Sequence, residues 1–369
     1  MRTTNESTGK TAKHSRGGAP LKGRAATYNP ANRFAHQVST AFDDGWDRPE
    51  DAADRPPTLA IREVPRNIIT TNQSPDISFD QSINPYRGCE HGCIYCYARP
   101  THAYWDMSPG LDFETRIIVK QGAADLLRQR FDRPNYRAKP IVIGANTDPY
   151  QPLEISEQIT RELIEVMVEY QHPFSMISKS QLVLRDLDLL APMAEAGLFS
   201  MAISVTTLDN RLKRMLEPRT TTGSKRLAAI AALTAAGIPV TLLVAPMIPY
   251  INDGELETIM SAGREAGAGR CRYILLRLPL ETSALFQAWL NTHFPARADK
   301  VMSIIRQSRG GKDYDSAFGS RMTGTGQFAA LLHQRWQIAS RKLGFEENDD
   351  RFLLDTTRFR RRNQQLRLF

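Results

Sequence analysis

The sequence predicts an α/β fold built on a parallel sheet, and three observations predict it. Short apolar runs alternate with amphipathic segments, the alternation repeats six times, and two of the intervening helical segments end on glycine. Such repetition implies parallel strands joined by right-handed crossovers. A complete or partial (β/α) barrel and an open doubly wound sheet both fit the alternation. Both would place functional groups at the C-terminal ends of the strands.

In chain order, residues 1–57 are polar, rich in Gly, Asn, Asp and Arg, without a sustained apolar period. They are expected to be largely disordered. After a transition from Ile61 to Phe79, the first strand-like run, Ile83-Asn-Pro-Tyr-Arg-Gly88, leads into a cysteine cluster. The second, Pro140 to Gly144, ends in Ala-Asn-Thr-Asp-Pro-Tyr. Ile155, Ile159, Leu163, Val166, Met167 and Tyr170 then recur three or four apart, which lays one stripe along a helix. Further strands are expected at Phe174 to Ser178, Phe199 to Val205, Ile238 to Pro246 and Tyr273 to Leu278. Helices at Leu182 to Ala196, Ser224 to Ala236 and Glu255 to Ala266 separate them. Gly197 and Gly237 stand where C-cap glycines end helices. Residues 286–345 read as a helical extension and 346–369 as a basic tail, with no acid from Arg358 onward.

Composition narrows the class. A chain of 369 residues that is 41% hydrophobic can bury a sizeable core. No apolar run reaches the roughly 18 residues of a membrane span, and the charged N-terminus lacks the apolar stretch of a secretory signal. The cytoplasm is therefore the expected location, with no membrane partner. The net charge of +8 favours polyanions, and nucleic acid is a candidate partner through the tail from Arg358 to Arg367. The plain alternative for that tail is a solvated end.

Three of the four cysteines fall in Gly88-Cys89-Glu-His-Gly-Cys93-Ile-Tyr-Cys96-Tyr97, a C-x3-C-x2-C motif. Clustered thiols are a poor disulfide framework and a good ligand set. A cubane cluster takes thiolate ligands, and three cysteines on one loop would hold three of its irons and leave the fourth open. Zinc held by the three cysteines with His91 or His102 is the competing metal. Structural zinc sites usually draw on two separated ligand pairs, and no second pair exists here.

This motif, followed directly by Tyr97 and placed after the first strand of a six-fold βα repeat, resembles the radical S-adenosylmethionine (SAM) superfamily. The resemblance covers residues 70–285. It implies a partial (β/α)6 TIM-type barrel and a [4Fe–4S] cluster on Cys89, Cys93 and Cys96. It further implies S-adenosyl-L-methionine chelated to the open iron and cleaved reductively to a 5′-deoxyadenosyl radical. A reducing partner of the flavodoxin or ferredoxin type would supply the electron. Thr147 and Asp148 take the place of the family's acceptors for the SAM amino group, and an Asx-Pro turn is the competing reading. Lys179 is similar to the lysine that pairs with the SAM carboxylate in the spore photoproduct lyase branch, and Ser204 to a serine contacting SAM. For Ser204, a satisfied strand hydroxyl is the alternative. Glu217-Pro218-Arg219, Asn252-Asp253 and the ledge Ala245-Pro246-Met247-Ile248-Pro249 occupy further strand-end loops.

Spore photoproduct lyases repair a thymine dimer in DNA with a cysteine hydrogen donor just before the residue matching Thr147. Here that residue is Asn146, whose amide cannot donate a hydrogen atom as a thiol does. Cys271 lies near the start of the sixth strand and reads as a small core residue. One spare cysteine cannot hold a second all-cysteine cluster. The expectation is a single-cluster radical SAM enzyme of unassigned substrate. Nucleic-acid repair or modification is one alternative, and a non-catalytic Fe–S or zinc protein is another.

Overall fold

The computed structural model describes residues 21–34, 56–346 and 349–362. Among the described residues ten strands occur in chain order: β1 (Leu59–Glu63), β2 (Ile69–Thr71), β3 (Gln81–Ile83), β4 (Tyr86–Arg87), β5 (Arg116–Lys120), β6 (Ile141–Ile143), β7 (Phe174–Ser178), β8 (Phe199–Ser204), β9 (Val240–Met247) and β10 (Arg270–Leu275). Six of them, β3 and β6 through β10, pair in parallel in sequence order, with β2 antiparallel on the outer edge of β3. A doubly wound sheet reverses its strand order at a switch point. This order never reverses, so the fold is the singly wound, partial-barrel alternative. Among the described residues no strand pairs β10 back to β2 or β3, and the arc stays open.

Strands in a helix-covered parallel sheet are apolar on both faces. Accordingly Ile141, Val142 and Ile143 are all buried, as are Ile83, Phe174 and Phe199. The helices between strands end as the sequence predicts. Gly197, Gly237 and also Gly267 follow the helices Leu187–Glu195, Gly223–Ala235 and Leu256–Glu265, and the next amide of each closes back on the last turn.

The helix stripe needs one correction. Ile159, Leu163, Val166 and Met167 are buried on the helix Ile159–Glu169, but Ile155 is 65% exposed. Gln158 takes a left-handed φ of 52°, which ends the short turn Glu154–Glu157 and resets the helical phase before Ile159. The small sheet β1-β5-β4 and the helix Ala123–Phe131 have no counterpart in the periodicity reading. That sheet's strand β4 follows the first barrel strand and leads into the cysteine loop, antiparallel to β5.

Two stretches with no apolar period are nonetheless packed. Residues 21–34 bury Arg24, Ala25 and Ala26. Polar bonds hold them: the Ala25 and Ala26 amides donate to the Glu114 carboxylate at 3.1 and 3.0 Å, and Arg24 donates to the Glu114 carbonyl at 2.6 Å. The rest of residues 1–57 lies outside the described residues, apart from 56 and 57. In the basic tail, Phe359 packs against Phe131, Tyr170 and His172. Arg361 donates to the Pro134 and Tyr136 carbonyls and Arg362 pairs with Glu169. Part of the tail's charge is therefore committed within the chain, while residues 363–369 lie outside the described residues.

A strap after the helix Ala298–Gln307 spans the open side of the arc. At one end the Leu275 amide, on the edge of β10, donates to the Met322 carbonyl at 2.9 Å. At the other, Gly319 N–H and Arg321 bind Asp76, in the loop between β2 and β3, at 2.6 Å each. Buried Arg309 ties the two together, donating to the carbonyls of Ser320, Arg321, Leu275 and Leu276. Among the described residues, no helix is long and apolar enough to cross a membrane.

Candidate active site

The cysteine loop is shaped from below by a buried ion pair. Arg99 and Glu114 are both fully buried and meet at 2.5 Å. The same guanidinium donates to the carbonyls of Cys93 (2.9 Å), Gly92 (3.2 Å), Pro109 and Gly110. A planar five-donor fork suits this convergence of carbonyls better than an ammonium would. Gly88 and Gly92 have φ of +78° and +65°. A Cβ on Gly92 would lie 2.7 Å from the Glu114 carboxylate, and one on Gly88 2.9 Å from the Phe113 carbonyl. The loop is thus wound tightly at both places where the sequence supplies glycine. Ile94 N–H donates to the Leu216 carbonyl at 3.0 Å, fastening the loop to the segment after β8.

Above this base lies a cavity of about 200 Å³ at the C-terminal ends of β6 through β10. All eight site residues expected from the sequence line it: Cys89, Cys93 and Cys96, with Tyr97, Thr147, Asp148, Lys179 and Ser204. Burial raises the Cys89 thiol well above its ordinary pKa, and raises Cys93, with Glu217 adding to it, to about 12. Among the described residues no three His, Cys, Asp or Glu side chains converge as a single-ion site requires. His102 is turned away, with Nε2 3.0 Å from the Arg116 carbonyl. His91 lines the cavity with Nδ1 3.2 Å from Asp148, near but not aligned as a hydrogen bond.

The cavity residues differ in what they have left to offer. Asp148 accepts from the Tyr150 amide (2.9 Å), the Ser178 hydroxyl (2.7 Å) and the Lys179 amide (2.7 Å). Burial would raise its pKa, but His91 and these donors outweigh burial and hold it at about 2. Thr147 donates to the Gly88 carbonyl at 2.7 Å and accepts from Gln151 at 3.3 Å. Both side chains therefore organise the loop between β6 and its helix. Ser204 donates to the Ala245 carbonyl at 3.1 Å, so its hydroxyl is satisfied across the strands. Lys179 is different: its ammonium makes no hydrogen bond or ion pair with any described residue. Burial opposes its charge, yet the Cys93 and Glu217 charges outweigh that and raise its pKa. Tyr97 reaches across the mouth, its hydroxyl donating to the Ala145 carbonyl.

The other strand-end candidates act as supports. Asn252 is buried, accepts from the Ile248 amide and donates to the Thr206 and Pro246 carbonyls. Ala245 and Pro246, joined by a cis peptide, do line the cavity. Arg219 pairs with Glu90 at 3.0 Å. Asp253 lies outside the cavity lining, and burial raises its pKa. Asn146 lines the cavity, and Cys271 is buried near the start of β10, the opposite end of that strand. Arg277, just past β10, lines the cavity and was not singled out by the sequence; a lone arginine after a strand carries no spacing signal.

Glu217 anchors the wall behind Cys93. It is fully buried and bound by Arg226, Tyr95, Thr206 (2.7 Å) and Thr220 (3.2 Å). Burial would raise its pKa, but Arg226, Lys179 and these donors hold it at about 2 against an ordinary 4.5. A folded-state pKa below the unfolded value adds stability that is complete above pH 4.5 and lost as pH falls toward 2. The shift corresponds to about 3 kcal/mol in order of magnitude. Glu217→Gln is expected to lower the neutral-pH melting temperature and to flatten its fall between pH 4.5 and 2. An acid limb as steep as the wild type's would refute the assignment.

The radical SAM superfamily pattern matches residues 83–262, which spans β3 through the helix after β9. An uncharacterized protein of Mycobacterium tuberculosis is 36% identical over 233 residues, 63% of this chain and 68% of its own length. One from Methanocaldococcus jannaschii is 28% identical over 173 residues, 47% of this chain and 62% of its own. Among solved structures, spore photoproduct lyase complexed with dinucleoside spore photoproduct superposes with a TM-score of 0.54 and 16% identity. The match covers 77% of this chain and 79% of the lyase, and at that identity it speaks to the fold alone. The family pattern, the substantial identity to the mycobacterial protein and the strand-end cysteine cavity agree, and the chain belongs to the radical SAM superfamily as one of its enzymes.

Proposed function

We propose that Cys89, Cys93 and Cys96 hold a [4Fe–4S] cluster and that the chain uses it to cleave SAM. The observation that carries this reading is that three thiols, and one ammonium with no ion pair among the described residues, line a single strand-end cavity. Three sulfur donors spread along the wall of a cavity, rather than drawn to one point, suit a polynuclear cluster better than a lone zinc ion. When bound and reduced, the cluster supplies the electron that splits the SAM sulfonium into methionine and a 5′-deoxyadenosyl radical.

The chain's own residues position and shield. Lys179 is the partner for the SAM carboxylate, since an ammonium with no hydrogen bond or ion pair among the described residues favours an anion brought by the ligand. Asp148 and Thr147 fix the loop after β6 through their protein contacts. Ser204 ties the β8 end to β9, and Ala245-Pro246 supplies an apolar ledge for adenine. Tyr97 closes the mouth toward Ala145 and limits water access. A low-potential electron donor of the flavodoxin or ferredoxin type is the corresponding partner. Asn146 argues against thymine-dimer repair through a thiol donor at that position, and the subclass is not assigned to that reaction.

The test is anaerobic reconstitution with iron and sulfide, reduction with dithionite and assay of 5′-deoxyadenosine. The expected result is about four irons and four sulfides per chain, with 5′-deoxyadenosine formed. Lys179→Gln is expected to weaken SAM binding about tenfold, measured by calorimetry, with iron content unchanged. Tightly bound zinc without iron, or no 5′-deoxyadenosine from a fully loaded protein, would sink the proposal.

A further inference from the structure

The cavity holds a second cation, and the proposed cofactor chemistry has no use for it. Arg277 follows β10, which is separated from β7 and Lys179 by two intervening strands. Its guanidinium lies 4.8 Å from the Tyr97 ring centroid. Its polar contacts are poor. One Nη donates to the Tyr314 hydroxyl at 3.2 Å, the other reaches the Met322 sulfur at 3.5 Å, and the buried Nε has no acceptor. Among the described residues no carboxylate pairs with it.

This is unlike the other guanidiniums around the site. Arg99 and Arg226 pair with buried Glu114 and Glu217, Arg219 with Glu90 and Arg321 with Asp76. Arg309, the exception, is clamped by four carbonyls. A half-buried guanidinium facing two phenols and a thioether, and no carboxylate among the described residues, is under-solvated and uncompensated, which costs stability unless an anion arrives. The field around it is positive. Burial and the Arg277 charge hold Arg309 down at about 10. SAM brings one carboxylate, and Lys179 is there to meet it. Arg277 is left over.

We propose that Arg277 is a substrate-binding residue, that the substrate carries an oxyanion, either a carboxylate or a phosphate group, and that this anion docks on the Arg277 guanidinium beside the face of Tyr97. The inference rests on the proposed SAM placement, because it assigns the cofactor's carboxylate to Lys179. A planar fork with free donor positions suits either oxyanion, and a phenol ring at its side offers a flat apolar surface to the atoms next to the charge. Docking there would seat the anionic end of the substrate at the β10 end of the cavity, above the same loop that carries Cys96 and Tyr97. Substrate specificity would then be set at that end, away from the β7 end that receives the cofactor.

The experiment uses the reconstituted protein saturated with SAM and titrates inorganic phosphate and succinate in parallel, by calorimetry at low ionic strength. At least one probe is expected to bind, with a Kd on the order of millimolar. Arg277→Gln is expected to weaken that binding about tenfold and Arg277→Lys by less, with SAM affinity unchanged in both. The better probe identifies the group: phosphate for a phosphate ester, succinate for a carboxylic acid. Absence of binding of both probes to the wild type overturns the proposal, as does equal binding by Arg277→Gln. A tenfold loss of SAM affinity in Arg277→Gln also overturns it, because the guanidinium would then serve the cofactor. Should Arg277→Gln fold poorly by its melting curve, Arg277→Lys decides, since it keeps the charge and loses only the fork. Lys179→Gln separates the two readings: intact SAM affinity in that variant removes the cofactor placement without touching the anion result.

Discussion

Cys93→Ala is expected to abolish 5′-deoxyadenosine formation and to bring iron and sulfide below the wild-type content after reconstitution. The thiol is 7% exposed, lines the cavity, and its carbonyl is held by the Arg99 guanidinium, so the backbone of the loop should survive the change. Replacing sulfur with hydrogen at a mostly buried position costs about 1 kcal/mol of burial, too little to unfold a domain of this size. The loss would therefore report on ligation alone. Cys271→Ala is the matched control: an equally small truncation, near the N-terminal end of β10, expected to leave iron content and 5′-deoxyadenosine untouched. Wild-type turnover in Cys93→Ala, or loss of iron in Cys271→Ala, would refute the assignment of the three ligands.

Arg99→Met is expected to give the largest loss of stability of any single change near the site, about 3–5 kcal/mol by denaturant unfolding. The substitution leaves Glu114 charged and fully buried with the Ala25 and Ala26 amides as the donors left to its carboxylate, and removes donors from the Gly92 and Cys93 carbonyls of the cysteine loop and from those of Pro109 and Gly110. Breaking one side of a buried pair is costly because the remaining charge is stranded. Adding Glu114→Gln to Arg99→Met is therefore expected to recover part of the loss. The same variants should retain less iron, since Gly92 and Cys93 are fixed by this guanidinium. A destabilisation below about 1 kcal/mol, or no recovery in the double variant, would show that the loop is held some other way.

How much of this was legible in the sequence follows from which interactions are local. The strands β7, β8 and β9 were readable within two residues because each is a contiguous apolar run bounded by a glycine-ended helix. The shared cavity of the three cysteines was readable because their spacing on one loop is itself local. Ile155 was misread because one left-handed residue, Gln158, shifts the helical phase without changing the composition. The packing of residues 21–34 was invisible because it depends on Glu114, some ninety residues away. Arg277 shows the same limit at the site: its significance lies in having no acid partner among the described residues, and only the folded arrangement reveals which acids are near. Thr147 and Asp148 line the cavity, and their own hydrogen bonds argue that they shape the loop.

The strap from Arg309 to Met322 has a consequence beyond bridging the arc. An open parallel sheet offers its last strand's free N–H and C=O groups to any other extended chain, the usual starting point for strand-to-strand self-association. By giving the Leu275 amide an internal acceptor at Met322, and by spanning to Asp76 on the other side, the strap blunts the β10 edge of the sheet. The other edge, β2, is only three residues long, too short to template another chain well. A barrel left open wide enough to admit ligands thereby avoids becoming a polymerisation surface.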